Sequence, residues 1–281
     1  MSEQSATGRI LVLLDASRAS LAALEEAVER AASGQTELHA LFVEEVGLLR
    51  SAGFPFTREI GAVSGAIRPI DVSAVEAAMR RQAARARRIL EQAVAGHHVR
   101  YSLSVRRGTV FTEVCTLADP KDLVVLGRVG WSAAPGRMLG STARALAREA
   151  PGSVLLWTMG AVHREGPVVV VVDDFEASTG ALAMALSSAR ARSRPLTVIR
   201  VALDDPGATE ARDRAVEEWL SGLGAEARLR DLPSLEPRTV ARTLRQERAS
   251  ELVLSRRSRL MRDPLVEPIL EALTLPVTIS A

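Results

Sequence analysis

Several of the residue types that most enzyme chemistry draws on are scarce in this 281-residue sequence. Cys115 is the only cysteine, so no disulfide can close within the chain, which fits a reducing compartment. It lies in "TEVCTLA", a helical run in which a small buried thiol is expected rather than a reactive one. The four histidines, His39, His97, His98 and His163, have no spacing to cysteine or acid that would build a metal cage. Aromatics are 3% of the chain, too few for the stacking platforms of single-stranded nucleic-acid binders. Lys121 is the only lysine. The basic side is otherwise arginine, which raises the pI to about 9.3 while the net charge stays at +2, so no large positive field is implied. The purest apolar run, "VVVVV" at 168–172, is far short of the roughly 20 residues that cross a bilayer. "MSEQSATGR" at the start is polar, with no apolar signal core. The expectation is a cytoplasmic protein with no membrane insertion and no nucleic-acid partner. The phosphate-binding pattern G-x-x-x-x-G-K-[ST] is also missing, which excludes a P-loop enzyme.

What is present is one pattern written twice. "RILVLLDAS" (9–17) and "PVVVVVDDFEAS" (167–178) are both continuous aliphatic runs that end in acid, the mark of strands covered on both faces in a parallel sheet. A helix is expected after each. In the first, Leu21, Leu24, Ala27, Val28 and Ala31 fall at helical spacing and Gly34 provides a stop. Strands "ELHALFVEE" and "LTVIRVAL" come next. Each is followed by a helix, with Ser73 and Glu76 spaced as a capping box for the first and Gly96 closing it. Third strands "VRYSLSVRR" and "EARLRDL", third helices, fourth strands "DLVVLG" and "ELVLSR", and fifth strands "SVLLW" and "PVTIS" complete both halves. The order predicts an α/β fold of two tandem, open, parallel five-stranded sheets with helices on both faces, divided into domains at 1–160 and 166–281. A segment rich in glycine and proline, 46–72, reads as a loop or lid, a dimer contact or decoration.

In open parallel sheets a ligand sits beyond the carboxyl ends of the strands, where strand order reverses. Here that directs attention to Asp15, after the first strand, and Gly127, after the fourth. Gly127, Gly130 and Gly140 are spaced through the loop after the fourth strand, and Ser141 and Thr142 open the next helix. Glycines let phosphate oxygens approach a backbone, and the free N–H groups and positive end of a helix favour an anion.

Gly127-x2-Gly130-x9-Gly140-Ser141 resembles the G-2x-G-9x-G-(S/T) signature of the ATP-binding branch of the universal stress protein family. "ILVLLDAS…SLAALEEAV" and "APGSVLLW" are similar to that family's first and last strands, and two such domains in tandem cover the chain. The resemblance implies an ATP, ADP or AMP site in the first half, with a divalent metal able to accompany the nucleotide. It implies that Asp15 lies near adenine and ribose, and that Phe42 and Val43 offer backbone to the base, with Arg128 in reach of a phosphate. Trp131 and Pro135 depart from the small polar residues expected in this loop. The second half has Ser255 and Ser258 in place of the first two glycines, and Asp263 and Glu267 near the helix start, and resembles the non-nucleotide branch. Its arginines 256, 257, 259 and 262 are expected in a solvated loop, with an acidic partner as the other reading. "DASRAS" after the first strand lacks the S-G-G-x-D-S loop of the related adenylating enzymes. No catalytic residue is assigned. The expected role is a stress-linked nucleotide sensor or regulator. The other readings are a nucleotide-free scaffold, for instance for a transporter, and a slow ATPase or phosphotransferase. The fifth strands are expected to pair within the chain. A homodimer and an unidentified protein partner are both compatible with the pattern.

Overall fold

The computed structural model describes residues 8–15, 17–47, 50, 54, 57–60, 65, 67–69, 71–129, 139–158, 165–203 and 205–281. In the first half, β1 (Ile10–Leu14), β2 (Leu38–Glu45), β5 (Tyr101–Gly108), β6 (Leu123–Gly127) and β7 (Ser153–Trp157) alternate with α1 (Arg18–Gly34), α2 (Val72–Val94), α3 (Val110–Leu117) and α4 (Ser141–Glu149). A small antiparallel ribbon, β3 (Arg58–Ile60) with β4 (Ile67–Pro69), occupies part of the 46–72 segment. In the second half, β8 (Val168–Val172), β9 (Leu196–Val201), β10 (Arg228–Leu232), β11 (Glu251–Ser255) and β12 (Val277–Ser280) alternate with α5 (Phe175–Ala191), α6 (Pro206–Gly222) and α7 (Pro237–Gln246). Two short helices, α8 (Arg259–Arg262) and α9 (Val266–Ala272), take the place of α4. Among the described residues no helix is long and apolar enough to cross a membrane.

The other ten strands form one sheet, not two. Its order is β10-β9-β8-β11-β12-β7-β6-β1-β2-β5, and every neighbouring pair is parallel except β7 with β12. The fifth strands pair antiparallel, as expected, with Val277 opposite Leu156, Thr278 opposite Leu155 and Ile279 opposite Val154. That contact fuses the two predicted sheets into one of ten strands. The physical reason is local. Every residue of both strands is buried, and an unpaired edge there would strand backbone donors and acceptors away from water.

The helices fall into two layers whose seams between the halves differ. On one face, α3, α4, α7, α8 and α9 pack over a single apolar core that runs through both halves, from Leu11 and Val114 to Val240 and Ile269. On the other face the core divides. α1 and α2 cover one cluster, with Leu24, Val28 and Leu90, and α5 and α6 cover another, with Leu182, Val216 and Leu220. Charge bridges that second seam. Glu26 of α1 meets Arg192 and Arg30 meets Glu251 of the second half, where Ser188 also donates to Glu251; Arg30 Nε lies 2.5 Å from Glu26 and Nη2 2.8 Å from Glu251.

Helix ends differ from expectation in two places. Asp71, not Ser73, caps α2, because its carboxylate accepts from the Ser73 amide at 2.9 Å and the helix starts two residues earlier than a Ser73 cap implies. Gln35, not Gly34, takes the left-handed turn after α1 (φ 50°). Gly96, just beyond α2, is left-handed (φ 85°), as a helix stop requires.

Candidate functional site

Strand order in the first half reverses between β1 and β6, so the crevice beyond their carboxyl ends is the place a ligand would enter. Asp15 follows β1 directly, and its carboxylate accepts from the Ser17 amide at 2.9 Å, in the turn into α1. β2 runs further than its neighbour. The last β1–β2 pair is Leu14 with Phe42, while Val43 to Glu45 pair only with β5. The β1-facing edge of Val43 therefore has no strand beside it. Phe42 itself is buried against α1 and α2.

Gly127 ends β6, and its need for glycine is steric. A Cβ there would lie 2.8 Å from the Cβ of Ala19 and 3.0 Å from its carbonyl carbon, so the absence of a side chain lets α1 descend onto the strand end. Its φ is not positive, unlike the left-handed backbone that phosphate loops often require. Gly130, Trp131 and Pro135 lie outside the described residues. The chain is described again from Leu139, which is fully buried, and Gly140, whose amide donates to the Arg128 carbonyl at 2.7 Å. That bond brings the start of α4 back against the end of β6.

Gly140 is the N-cap of α4 (φ −72°, ψ 157°), and among the described residues no side-chain hydrogen bond caps the helix. Four amides at a helix start lack partners within the helix, and they carry the positive end of its dipole. Ser141 is exposed and Thr142 half-buried on this first turn. The sequence-predicted residues Asp15, Gly127, Gly140, Ser141 and Thr142 thus gather around two adjacent strand ends, with Phe42 and Val43 one strand further.

Arg128 does not join them. Its side chain is 2% exposed and crosses to the second half, where Nη1 donates to the Leu273 carbonyl at 2.5 Å. It cannot serve as a solvent-facing phosphate ligand in this arrangement. Burial pushes its pKa down to about 10, with Glu271 pulling the other way, so it remains charged at neutral pH. Arg256 is its counterpart after β11, and it too crosses the seam. It donates to the carbonyls of Ala147 (3.1 Å), Ala150 (2.6 Å) and Gly152 (2.8 Å), where α4 ends. The expected solvated loop is, at Arg256, a clamp on the other half. Glu267 is likewise taken by Arg144 at 3.1 Å and Arg148 at 2.7 Å.

The equivalent crevice in the second half is filled by the protein itself. Asp173, after β8, stands where Asp15 stands after β1, and its Oδ2 accepts from the Leu260 amide at 2.9 Å. Ser258 caps the same short helix by accepting from Met261 at 3.3 Å. Ser255, the counterpart of Gly127, donates its hydroxyl to the Ala177 carbonyl, on the turn equivalent to the one Gly127 lets close.

A family model described as the universal stress protein family matches residues 7–157. The chain belongs to the universal stress protein family. Solved structures of that family share its whole length. A universal stress protein from Archaeoglobus fulgidus DSM 4304 has 16% identity, covers 98% of this chain and 98% of its own, and superposes with a TM-score of 0.73. A universal stress protein described as putative, from Pseudomonas aeruginosa UCBPP-PA14, has 18% identity, 98% and 93% coverage and a TM-score of 0.63. The sequence matches no curated protein. At such identities the likeness establishes the fold of this universal stress protein and nothing finer.

Sequence reasoning missed the two crossing arginines and the self-capping Asp173. A signal for the first was present: aligning the repeats puts Arg128 and Arg256 at one position, directly after the fourth strand. For the second there was none, because both halves carry acid after their first strand. His39 shows the opposite case. Its ring is held between the Ser102 and Ser104 hydroxyls at 2.9 and 3.0 Å, and burial pushes its pKa down, which marks a neutral structural histidine.

Proposed function

We propose that the first half binds an adenine nucleotide, with ATP as the leading ligand and ADP or AMP as the others, and that the protein acts as a cytoplasmic, stress-associated sensor or regulator. The carrying observation is the contrast between the first helix after the fourth strand in each half. Among the described residues α4 begins at Gly140 with no side-chain cap, while Asp173 and Ser258 hold the start of α8; α9, just before β12, has no side-chain bond from its N-cap Leu265. An uncapped helix start behind a glycine-spaced loop suits a phosphate, and Ser141 and Thr142 supply hydroxyl donors there. The unpaired edge of Val43 suits the base, and Asp15 suits a ribose hydroxyl. A divalent ion would arrive with the nucleotide's own phosphates. The second half is read as nucleotide-free. No group is assigned to catalysis, so any turnover is expected to be slow.

The test is calorimetry with ATP on the full chain, paired with Gly140→Asp. An aspartate at the N-cap would place a carboxylate against the first amides of α4. It should leave the ligand-free protein as stable or a few tenths of a kcal/mol more stable, while opposing phosphate. Wild type should bind one ATP per chain and the variant should lose binding at least tenfold. Ser141→Ala should show a smaller loss, worth about 0.5–1.5 kcal/mol for one hydrogen bond and more if the acceptor is charged. Undiminished affinity in a folded Gly140→Asp protein would show that phosphate does not sit at α4.

A further inference from the structure

The element that would hold phosphate in the first half packs on its own half and is also tied by side chains to the second. The turn after β6 is tied through Arg128, whose backbone amide donates to Trp157 O at 2.9 Å while its guanidinium reaches Leu273 O, just past the end of α9. The body of α4 is tied through Arg144 and Arg148 to Glu267, with Glu271 at 4.0 Å from Arg144. The end of α4 is tied through the three carbonyls that Arg256 engages. Those carbonyls belong to the last turn and its exit, where a helix leaves acceptors unpaired and where a cation is favoured. The body and end of this short helix are thus bonded directly by side chains of the other half, and its start indirectly, through Arg128.

Arg128 is the link closest to the site. Gly140 N, the first amide of the α4 cap, bonds to the carbonyl of Arg128 itself. A displacement of α9 would pull on Arg128, and through one hydrogen bond on the cap of α4. The arginine has little freedom to absorb such a displacement, being 2% exposed. Among the described residues its Nε and Nη2 are buried without a partner, and its side-chain bonds are those to Leu273 O and, at 3.4 Å, Thr158.

We propose that the second half, which has lost its own anion position, is the positioning subunit for the nucleotide site of the first, and that Arg128 is the positioning residue that couples them. The proposal rests on the nucleotide reading above. It gives the second half a function: whatever shifts α8 and α9, including a protein bound to that half, changes ligand affinity in the first. Linkage makes the effect reciprocal, so ligand in the first half must tighten the contact of α9 by the same free energy.

The test uses the full chain. ATP dissociation constants are measured by calorimetry for wild type, Arg128→Met, Arg128→Lys and the double variant Glu267→Gln/Glu271→Gln, which changes no residue of the glycine loop. Arg128→Met keeps the aliphatic volume and removes the donors. It should weaken ATP roughly 5- to 10-fold, within the usual range of coupling between sites. Arg128→Lys should restore part of the loss, and the double glutamine variant should weaken ATP by a smaller factor. Hydrogen exchange supplies a readout that a merely structural role would not move. ATP should increase protection of the amides of 266–273 in wild type and not in Arg128→Met. If wild type binds ATP and both Arg128→Met and the double variant keep its affinity, the coupling proposal is overturned and the nucleotide site stands. If wild type does not bind ATP, both fall. Should Arg128→Met fail to fold, the double variant decides alone.

Discussion

The charged seam between the halves can be tested by removing its central cation. In Arg30→Met the chain loses the group that lies between two buried carboxylates, Glu26 at 2.5 Å and Glu251 at 2.8 Å, whose side chains are 0% and 2% exposed. Removing one partner of a buried pair costs about 3–5 kcal/mol, because the other charge stays in a medium that solvates it poorly. Arg192 still reaches Glu26, and Thr278 and Ser188 still bond Glu251, so the lower part of that range is expected. At about 2 °C per kcal/mol for a chain of this size, the melting temperature should fall by about 6–8 °C near neutral pH. The sign of the pH dependence is the sharper result. Burial pushes the pKa of Glu251 up, but Arg30, Thr278, Arg192 and Ser188 together outweigh it and hold it below the ordinary value. A folded pKa below the unfolded one contributes stability that is present above the unfolded value and is lost as pH falls through the folded value. In Arg30→Met the largest opposing charge is gone, and burial is then expected to outweigh the remaining partners and lift the folded pKa above the unfolded one. The deficit should then be largest near pH 8 and shrink as the buffer is taken to about pH 5, because protonating Glu251 removes the unpaired charge. Adding Glu251→Gln should recover part of the loss. Thermal melts of the three proteins across that range decide the matter. A variant within about 2 °C of wild type near neutrality, or a deficit that does not change with pH, would refute the account of the seam.

Three shorter tests address other features. Gly127→Ala brings a Cβ to 2.8 Å from Ala19, and since the backbone of α1 lies behind it the substitution should destabilise by about 1–3 kcal/mol in chemical denaturation; no change would mean that α1 does not pack as closely as described. A fragment ending after β7 should self-associate, because it leaves the buried edge of "SVLLW" unpaired; a strictly monomeric fragment in sedimentation would count against that edge as the driver. Burial and Glu149 push the Cys115 thiol up, so alkylation of the native protein at about pH 8 should be much slower than of the unfolded chain, and equal rates would contradict the packing around α3.

Much of the architecture is legible in the sequence because it rests on local rules. "VVVVV" cannot be other than a strand covered on both faces, and Leu21, Leu24 and Val28 fix the buried side of α1 by spacing alone. The repeat, its five strands per half and the glycine-marked crevice follow from the same short-range patterns, which also point to Asp15, Gly140 and Ser141. What the tertiary structure decided concerns partners far apart in the chain. Antiparallel pairing of β7 with β12 merges two sheets into one and brings Leu273 beside Arg128, 145 residues away. An arginine in a glycine loop reads as a phosphate ligand until that neighbour is known. Asp173 and Asp15 are the same residue in the same place of the repeat, yet Asp173 accepts from a helix amide after β11 while Asp15 accepts from the Ser17 amide in the turn into α1. The difference arises because the shorter connection after β11 brings a helix amide within 2.9 Å of the carboxylate, and only the folded path of the chain fixes that distance.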